Sequence, residues 1–516
     1  MSFPIKNFLD NARDQFFLRS PKIFSDFNKW EKILLVTGFI LLTVRLIYYP
    51  PIFADEATRI LTVQKYSFWE LTHLSRFKSS VHDAWGFLAL VKLFGLLRPE
   101  HEIFFRLPVF LCSLLGIFLF FRLSRKLLAP AGRYTAMGLY IVCPCLLMYC
   151  NEMLPYMCDV LCSTLLLGMF LRLIVSDLRS WNTCLGYAFL GGMTLILSLP
   201  AVFTLAGGSL VVFLRMISAR EKDQMRKFLT VAVFWAVIWG IYYFWNVRHF
   251  TQWNYLVDDW EPYLFPSVWI LQSLVYWFLE RFTAMFDYPL GIYPWVGMPL
   301  WFLGLGVLFR QERFQAALII SSFCMMLLAV FLRKYPFYDR VLAFLLPMNM
   351  ILIGRGWHFF VHKICRLRSM RWLAPLVIGL LFYRPITSSL RIVNYTHKNE
   401  GVPAVLDHIQ TNWQEGDGIY IQWDFRHEFL FLNRRYGFRS SDYVQGFYRE
   451  SYKSGADIAK LRKYHRVWFI LGGMHKQRQK GILSLADQRG ELIETYPAGW
   501  CYVSLYRWDP ENPFYE

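Results

Sequence analysis

Two adjacent carboxylates, Asp55 and Glu56, stand just past the double proline Pro50-Pro51, where the first long apolar run of the sequence ends. A carboxylate held at the edge of a low-dielectric layer is suited to take a proton from an acceptor hydroxyl as general base. The same pair also makes a solvated cap, because acidic residues favour helix N-termini and Asp55-Glu56-Ala57-Thr58-Arg59 opens a plausible helix. A second acidic site is Asn151-Glu152, wedged between two apolar runs and followed by Pro155, Tyr156 and, one turn on, Asp159. An ionisable group at that depth normally faces a cavity, a partner or a substrate, although Asn, Glu and Pro are equally good residues for a helix turn. The third site is the short link Arg333, Lys334, Tyr335, Pro336, Phe337, Tyr338, Asp339 and Arg340. Its cations suit headgroup anchoring, but also the holding of a phosphate at the membrane surface. Lys78, His82 and Asp83 precede the apolar run from Trp85 to Leu97, a place where a histidine more often serves structure than chemistry.

The surroundings of these residues are set by composition. Of 516 residues, 56% are hydrophobic, 19% aromatic and 18% charged, an apolar excess that points to lipid as the solvent. A bilayer is crossed by about 20 mostly apolar residues. Such runs fall near 33 to 50, 107 to 128, 134 to 150, 155 to 175, 184 to 200, 201 to 217, 228 to 246, 294 to 309, 314 to 332, 341 to 361 and 372 to 388. The expected fold class is therefore a polytopic α-helical membrane protein of about 11 spans. The aromatic stretch 264 to 286 reads as a further span or an interfacial helix. No cleavable signal peptide is expected, since polar and mixed residues precede the first run. The net charge of +18 sits in short clusters between runs, as juxtamembrane anchors do, which argues against nucleic acid as partner. Nine of the ten cysteines lie in or beside apolar runs and only Cys501 lies in the tail, with neither a disulfide framework nor a zinc spacing.

Positive charge orients the chain. With the N-terminus cytoplasmic, the alternate loops carrying Arg122 to Arg133, Arg172 and Arg179, Arg215 to Lys227, Arg310 and Arg313, and Lys363 to Arg371 all fall inside. The connection 51 to 106, the links 151 to 154 and 333 to 340, and the tail then fall outside. Residues 1 to 390 form the expected membrane domain, with 51 to 106 as its outer first loop. Residues 391 to 516 form a small extracytoplasmic α/β domain: helix-like stretches at 401 to 412 and 455 to 464 alternate with strand-like runs at Gly418 to Trp423, Val467 to Leu471 and Trp500 to Trp508.

Carboxylates and cations at the outer ends of spans suit transfer of a sugar from a polyprenyl phosphate. The departing phosphate is already a stable anion, so it calls for cations rather than for the paired acid and base of a glycosidase. The order Phe53-Ala54-Asp55-Glu56-Ala57, Arg106-Leu107-Pro108, Asn151-Glu152-Met153-Leu154-Pro155-Tyr156 and Tyr335-Pro336-Phe337-Tyr338-Asp339-Arg340, running on to Pro347, resembles the membrane glycosyltransferases of the GT-C class. Within that class it is similar to the family of protein O-mannosyltransferases and lipid A aminoarabinose transferases. The resemblance spans residues 30 to 360. It implies that Asp55 and Glu56 are the catalytic pair and that Glu152 is the second acidic position. It also implies that Arg340 lies near the lipid phosphate; beside it, Lys78, His82, Asp159, Arg333, Lys334 and Tyr335 are candidates for binding the substrate. The chain departs from the class at Ser80-Val81-His82-Asp83-Ala84, where many relatives carry a double proline. The expected activity is an inverting glycosyl transfer at the outer face of a plasma or equivalent membrane, from a polyprenyl-phosphate sugar to a lipid, glycan or protein. No cofactor is implied with certainty; a divalent cation is compatible with the chemistry, without a readable ligand set. A transporter and a non-catalytic membrane scaffold are the competing readings, the first disfavoured because the polar residues gather at helix ends rather than at mid-bilayer.

Overall fold

In the computed structural model the described residues are 27–77, 81–175, 178, 180–250, 260–266, 271–364, 368–394, 401–446, 454–473 and 476–508. The chain divides into two compact units. One comprises Met1–Ile47, Phe68–Val91 and Arg106–Asn394, the other Tyr48–Ser67, Lys92–Phe105 and Tyr395–Glu516.

Among its described residues the first unit consists of helices and the turns between them. Among the described residues, seven helices are long and apolar enough to cross a membrane: Glu102–Leu127, Tyr156–Val175, Ala201–Ser218, Lys222–Val247, Arg313–Phe331, Asp339–Lys363 and Leu373–Val393. The other four apolar runs of the sequence are helical as well, and each falls short of a full apolar span for a physical reason. Lys29–Ile47 carries Lys29, Glu31, Lys32 and Arg45. The run 134 to 150 is broken at Cys143-Pro144 into Pro130–Ile141 and Pro144–Tyr149, because a proline has no N–H for the helix ladder. Trp181–Leu197 has 17 residues, and Pro294–Gln311 is diluted by prolines and a polar C-terminal end. The aromatic stretch supplies the helix Leu271–Asp287, with Glu280 and Arg281 in its course.

Close packing in this unit is set by glycines. A Cβ at Gly304 would overlap the Leu352 carbonyl and one at Gly356 the Leu300 carbonyl, so Pro294–Gln311 and Leu346–Phe359 touch backbone to backbone. Gly132 and Gly354 meet in the same way, which brings Pro130–Ile141 against the opposite side of Leu346–Phe359. Apolar surface gains little by leaving lipid for another helix, so such small-residue contacts carry the association of spans. The clasped helix continues directly from the 3₁₀ turn Asp339–Leu345.

In the second unit a five-stranded mixed sheet has the order β2-β1-β3-β5-β4, where β1 is Asp417–Ile421, β2 Tyr443–Gln445, β3 Arg466–Gly472, β4 Gly490–Ala498 and β5 Cys501–Trp508. β1 pairs in parallel with β2 and β3, while β5 pairs antiparallel with β3 and β4. One face of the sheet presents Tyr420, Val467, Phe469, Leu471 and Tyr506 to Ile458, Leu461 and Ile482. The helices Val402–Asn412 and Arg426–Tyr436 also belong to this unit. Ala54–Lys65, far away in sequence, packs on Arg426–Tyr436. The strands expected at 418 to 423, 467 to 471 and 500 to 508 are β1, β3 and β5.

Gly304→Leu forces a side chain into the Leu352 carbonyl, and overpacking of this kind costs about 1–3 kcal/mol. The purified variant in detergent is expected to melt several degrees below the wild type; an equal melting temperature would mean that the close helix contact is not what holds these spans together.

Candidate functional site

In the second unit the backbone turns into the helix Ala54–Lys65 after Pro50-Pro51 and Phe53. Glu56 folds back onto its own helix start, its Oε2 accepting the Phe53 N–H at 3.4 Å, and is 1% exposed. Asp55, one residue earlier, is exposed, and its carbonyl accepts from Arg59 Nη1 at 2.8 Å. The Phe53 ring lies 5.6 Å from that of Trp500, and Trp500 lies 5.2 Å from Phe425, an aromatic row that seats the helix start on the α/β fold. Aromatic packing therefore fixes the backbone beneath Asp55 and Glu56, with the Asp55 side chain exposed and that of Glu56 enclosed.

A third carboxyl joins this pair that sequence reasoning did not single out. Glu428, from Arg426–Tyr436, is 1% exposed; the Ala54 N–H donates to its carboxyl, while its Oε2 has no hydrogen-bond partner. Burial pushes this carboxyl well above the usual carboxylate range, and the nearby charges of Glu56, Asp55 and Asp424 push the same way. The Ala54 N–H opposes them. Beside it, Arg426 stacks 3.4 Å over the Trp423 ring and donates from Nε to His427 Nε2 at 3.0 Å. Burial, then the Arg426 charge, hold the His427 imidazole down at about 4, so it is neutral at physiological pH. Asp424 is bound by Arg478 at 2.8 Å and by the Gln422 amide at 2.6 Å. The dense polar run Asp424-Phe425-Arg426-His427-Glu428 was the one available sequence signal, since a solvated helix face seldom needs so many charges in succession.

In the first unit the second and third sequence candidates come together. The Arg340 guanidinium lies 5.8 Å from the centre of the Tyr156 ring, within cation–π range, and Tyr156 meets Tyr149 edge-on at 4.8 Å. Tyr149 feels the charges of both Glu152 and Arg340, and Tyr335 those of Asp159 and Tyr156. Asn151 is fully buried, and its amide donates to the Arg45 carbonyl at 2.5 Å. Glu152 and Asp159 are buried too, and Asp159 Oδ1 has no hydrogen-bond partner. Asp83 lies close enough to Asp159 to act on it electrostatically. The Tyr335 hydroxyl donates to the Val341 carbonyl at 2.8 Å and closes the turn that presents Arg340. Asp339 takes φ +25°, a conformation that side chains rarely adopt, immediately before that arginine.

The remaining sequence candidates fare differently. Arg333 is engaged by Glu261 at 2.5 Å and by the Phe265 carbonyl at 2.7 Å, which makes it a tether for the segment 260–266. Lys334 is exposed and His82 half-buried. Lys78 lies outside the described residues. Among the described residues no three His, Cys, Asp or Glu side chains are grouped so as to hold a metal ion, so the divalent cation gains no ligand set.

No family model and no curated protein matches the chain. Solved structures do. The structure of ArnT from Cupriavidus metallidurans bound to undecaprenyl phosphate aligns over 93% of this chain and 98% of its own, with TM-score 0.55 at 13% identity. The same protein in the apo state gives TM-score 0.53 at 12% identity over the same shares. The Archaeoglobus fulgidus oligosaccharyltransferase in complex with Zn and sulfate aligns over 91% of this chain and 72% of its own, with TM-score 0.49 at 14% identity. The chain has the fold of the two ArnT structures.

The Glu428 carboxyl supplies a pH prediction. A group whose folded pKa is raised contributes stability at acid pH that is lost as pH rises from its unfolded value, about 4.3, through the folded one. Glu428→Gln cannot ionise. Across a pH series its melting temperature is expected to gain on that of the wild type as pH rises; parallel curves would show that the carboxyl is not held in its acid form.

Proposed function

We propose that this protein is a membrane glycosyltransferase that moves a sugar from a polyprenyl-phosphate donor to an acceptor hydroxyl at the outer face of the membrane. The observation that carries the reading is the assembly of Arg340 with Tyr149, Glu152 and Tyr156 at the ends of apolar helices, in a chain with the GT-C fold. The similar ArnT structure is bound to undecaprenyl phosphate, and a lipid phosphate is the class of ligand that a guanidinium over an aromatic ring at a helix end can hold.

In this mechanism Asp55 is the general base. The acceptor O–H gives its proton to Asp55, the acceptor oxygen bonds to the anomeric carbon from the side opposite the phosphate, and the bond from that carbon to the phosphate oxygen breaks. Configuration inverts in the single displacement. The polyprenyl phosphate leaves as an anion, and Arg340 stabilises the charge that develops on it. Exposure favours Asp55 over Glu56 as the base, because Glu56 is enclosed and committed to the Phe53 N–H. Glu152 and Asp159 bind the sugar hydroxyls, and Tyr335 shapes the turn before Arg340. Asp55 belongs to the second unit, in the segment Tyr48–Ser67.

The test separates binding from turnover. Undecaprenyl phosphate binding to purified protein should weaken by about tenfold or more in Arg340→Ala and recover in part in Arg340→Lys, which keeps the charge but loses the fork. Asp55→Asn should bind as the wild type does, while its transfer from polyprenyl-phosphate sugars drops about 10²- to 10⁴-fold. Equal affinity across the arginine series would return Arg340 to membrane anchoring, and wild-type turnover in Asp55→Asn would remove it from the chemistry. Movement of an intact solute across vesicles with no bond broken would support the transporter reading instead.

A further inference from the structure

A cavity opens between the helices Glu102–Leu127 and Tyr156–Val175 of the first unit. Leu119, Leu123 and Leu165 give it apolar walls, and Arg122 and Lys126 line it beside Thr164. The Thr164 hydroxyl already donates to the Val160 carbonyl at 2.7 Å, so the polar character of the cavity comes from the two cations. Leu119, Arg122, Lys126 and Leu165 are only half-buried, which leaves the cavity open to whatever surrounds the helices. Around a span, that is lipid.

The cavity belongs to the other end of the helices from the proposed phosphate site. Tyr156, beneath Arg340, begins the second helix, and Arg172 stands in its last turn, about 24 Å further along the axis. The cations at this end divide between two faces. Arg125 and Arg133 turn to the buried Glu31, at 3.4 Å and 2.6 Å. Arg122 and Lys126, one helical turn apart, line the cavity instead, and Arg172 acts on Lys126 electrostatically from the facing helix. Like charges at that spacing repel, and salt screens partly buried charges poorly. Glu31 thus neutralises one face, while the other gathers three cations around an apolar slot.

The chemistry of an occupant follows from both halves. A soluble anion would give up water against the leucine walls and regain no hydrogen bonds there. A bilayer phospholipid satisfies both, since its phosphate accepts from guanidinium and ammonium groups and its acyl chain covers the leucines. Basic pockets between spans bind anionic headgroups in this way. Three cations also choose among headgroups, because they repel the ammonium of phosphatidylcholine and have no quarrel with the neutral glycerol of phosphatidylglycerol.

We propose that the cavity between Glu102–Leu127 and Tyr156–Val175 binds one anionic phospholipid from the leaflet opposite Arg340, its phosphate held by Arg122, Lys126 and Arg172 and an acyl chain lying against Leu119, Leu123 and Leu165. The lipid is a structural ligand and not the donor. It ties together two spans, one of which carries Tyr156 at its far end. The site stands apart from the proposed transferase function.

Thermal melting of the full-length protein in detergent, titrated with phosphatidylglycerol or phosphatidylcholine, tests this. Phosphatidylglycerol should raise the wild-type melting temperature by several degrees, and phosphatidylcholine by less than about a third as much. The double variant Arg122→Gln, Lys126→Gln should lose most of the phosphatidylglycerol shift, whereas Arg340→Ala should keep it. Inorganic phosphate at the same concentration should give none. Equal shifts from the two lipids in the wild type would reduce these cations to general membrane anchors and overturn the site. So would a full shift from inorganic phosphate, a double variant that keeps its preference for phosphatidylglycerol, or loss of the preference in Arg340→Ala. Should the double variant fail to fold, the wild type alone decides: phosphatidylglycerol with a photoreactive diazirine on its acyl chain should label peptides containing Leu119, Leu123 and Leu165, and labelling confined to other helices contradicts the proposal. No arm reads sugar transfer, so its failure leaves the transferase reading untouched, and the reverse holds as well.

Discussion

A helix that ends at a membrane surface leaves its last carbonyls or first N–H groups to be satisfied by something other than its own ladder, and any charge placed there is only partly solvated. Everything chemical in this protein is built on that constraint. In the first unit, Leu346–Phe359 is held backbone to backbone by Gly132, Gly304, Gly354 and Gly356, so the turn that precedes it has little freedom. The turn ends the apolar layer with Asp339 at φ +25° and then Arg340, whose guanidinium rests on Tyr156. Small residues in the span thus determine where a cation sits at its end. The strain at Asp339 is tolerated because the helix that follows cannot move to relieve it.

The second unit meets the same constraint with acids. The N-terminus of Ala54–Lys65 favours negative charge, and Asp55 and Glu56 supply it. Phe53, Trp500 and Phe425 then enclose the turn with apolar surface, which would make two or three ionised carboxylates expensive. The division that results is one exposed carboxylate, one capping carboxylate and one buried acid at Glu428.

Much of the architecture could be read from the sequence because hydropathy is a one-dimensional property. Each of the eleven apolar runs is helical, and the Pro144 break inside one of them is visible as a residue type. The strands β1, β3 and β5 were legible from their Ile, Val, Tyr and Trp content. β4 was not: it is a solvent-facing edge strand carrying Glu491, Glu494 and Pro497, residues that propensity assigns to loops. β2, only three residues long, offers no pattern at all. At the site, Glu152, Tyr335 and Arg340 stood out because polar residues between apolar runs are rare, and the structure gathers the segments that carry them. Glu428 was harder to read, for the opposite reason. Its helix lies in a polar tail where charge is ordinary, and its meaning comes only from the Ala54 backbone and two carboxylates that the fold brings to it. Arg333 looked like a companion of Arg340, but Glu261 claims it, and no local pattern announces a partner so distant in the chain.

The central claim is that a lipid phosphate is held by Arg340, and the most direct measurement is a cryo-EM structure of the protein in nanodiscs with undecaprenyl phosphate added. The account predicts density for the phosphate within hydrogen-bonding distance of the Arg340 guanidinium, near the rings of Tyr149 and Tyr156, with the isoprenoid running along the apolar helices. Phosphate density elsewhere on the protein, with Arg340 still stacked on Tyr156 and facing only lipid headgroups, would contradict it.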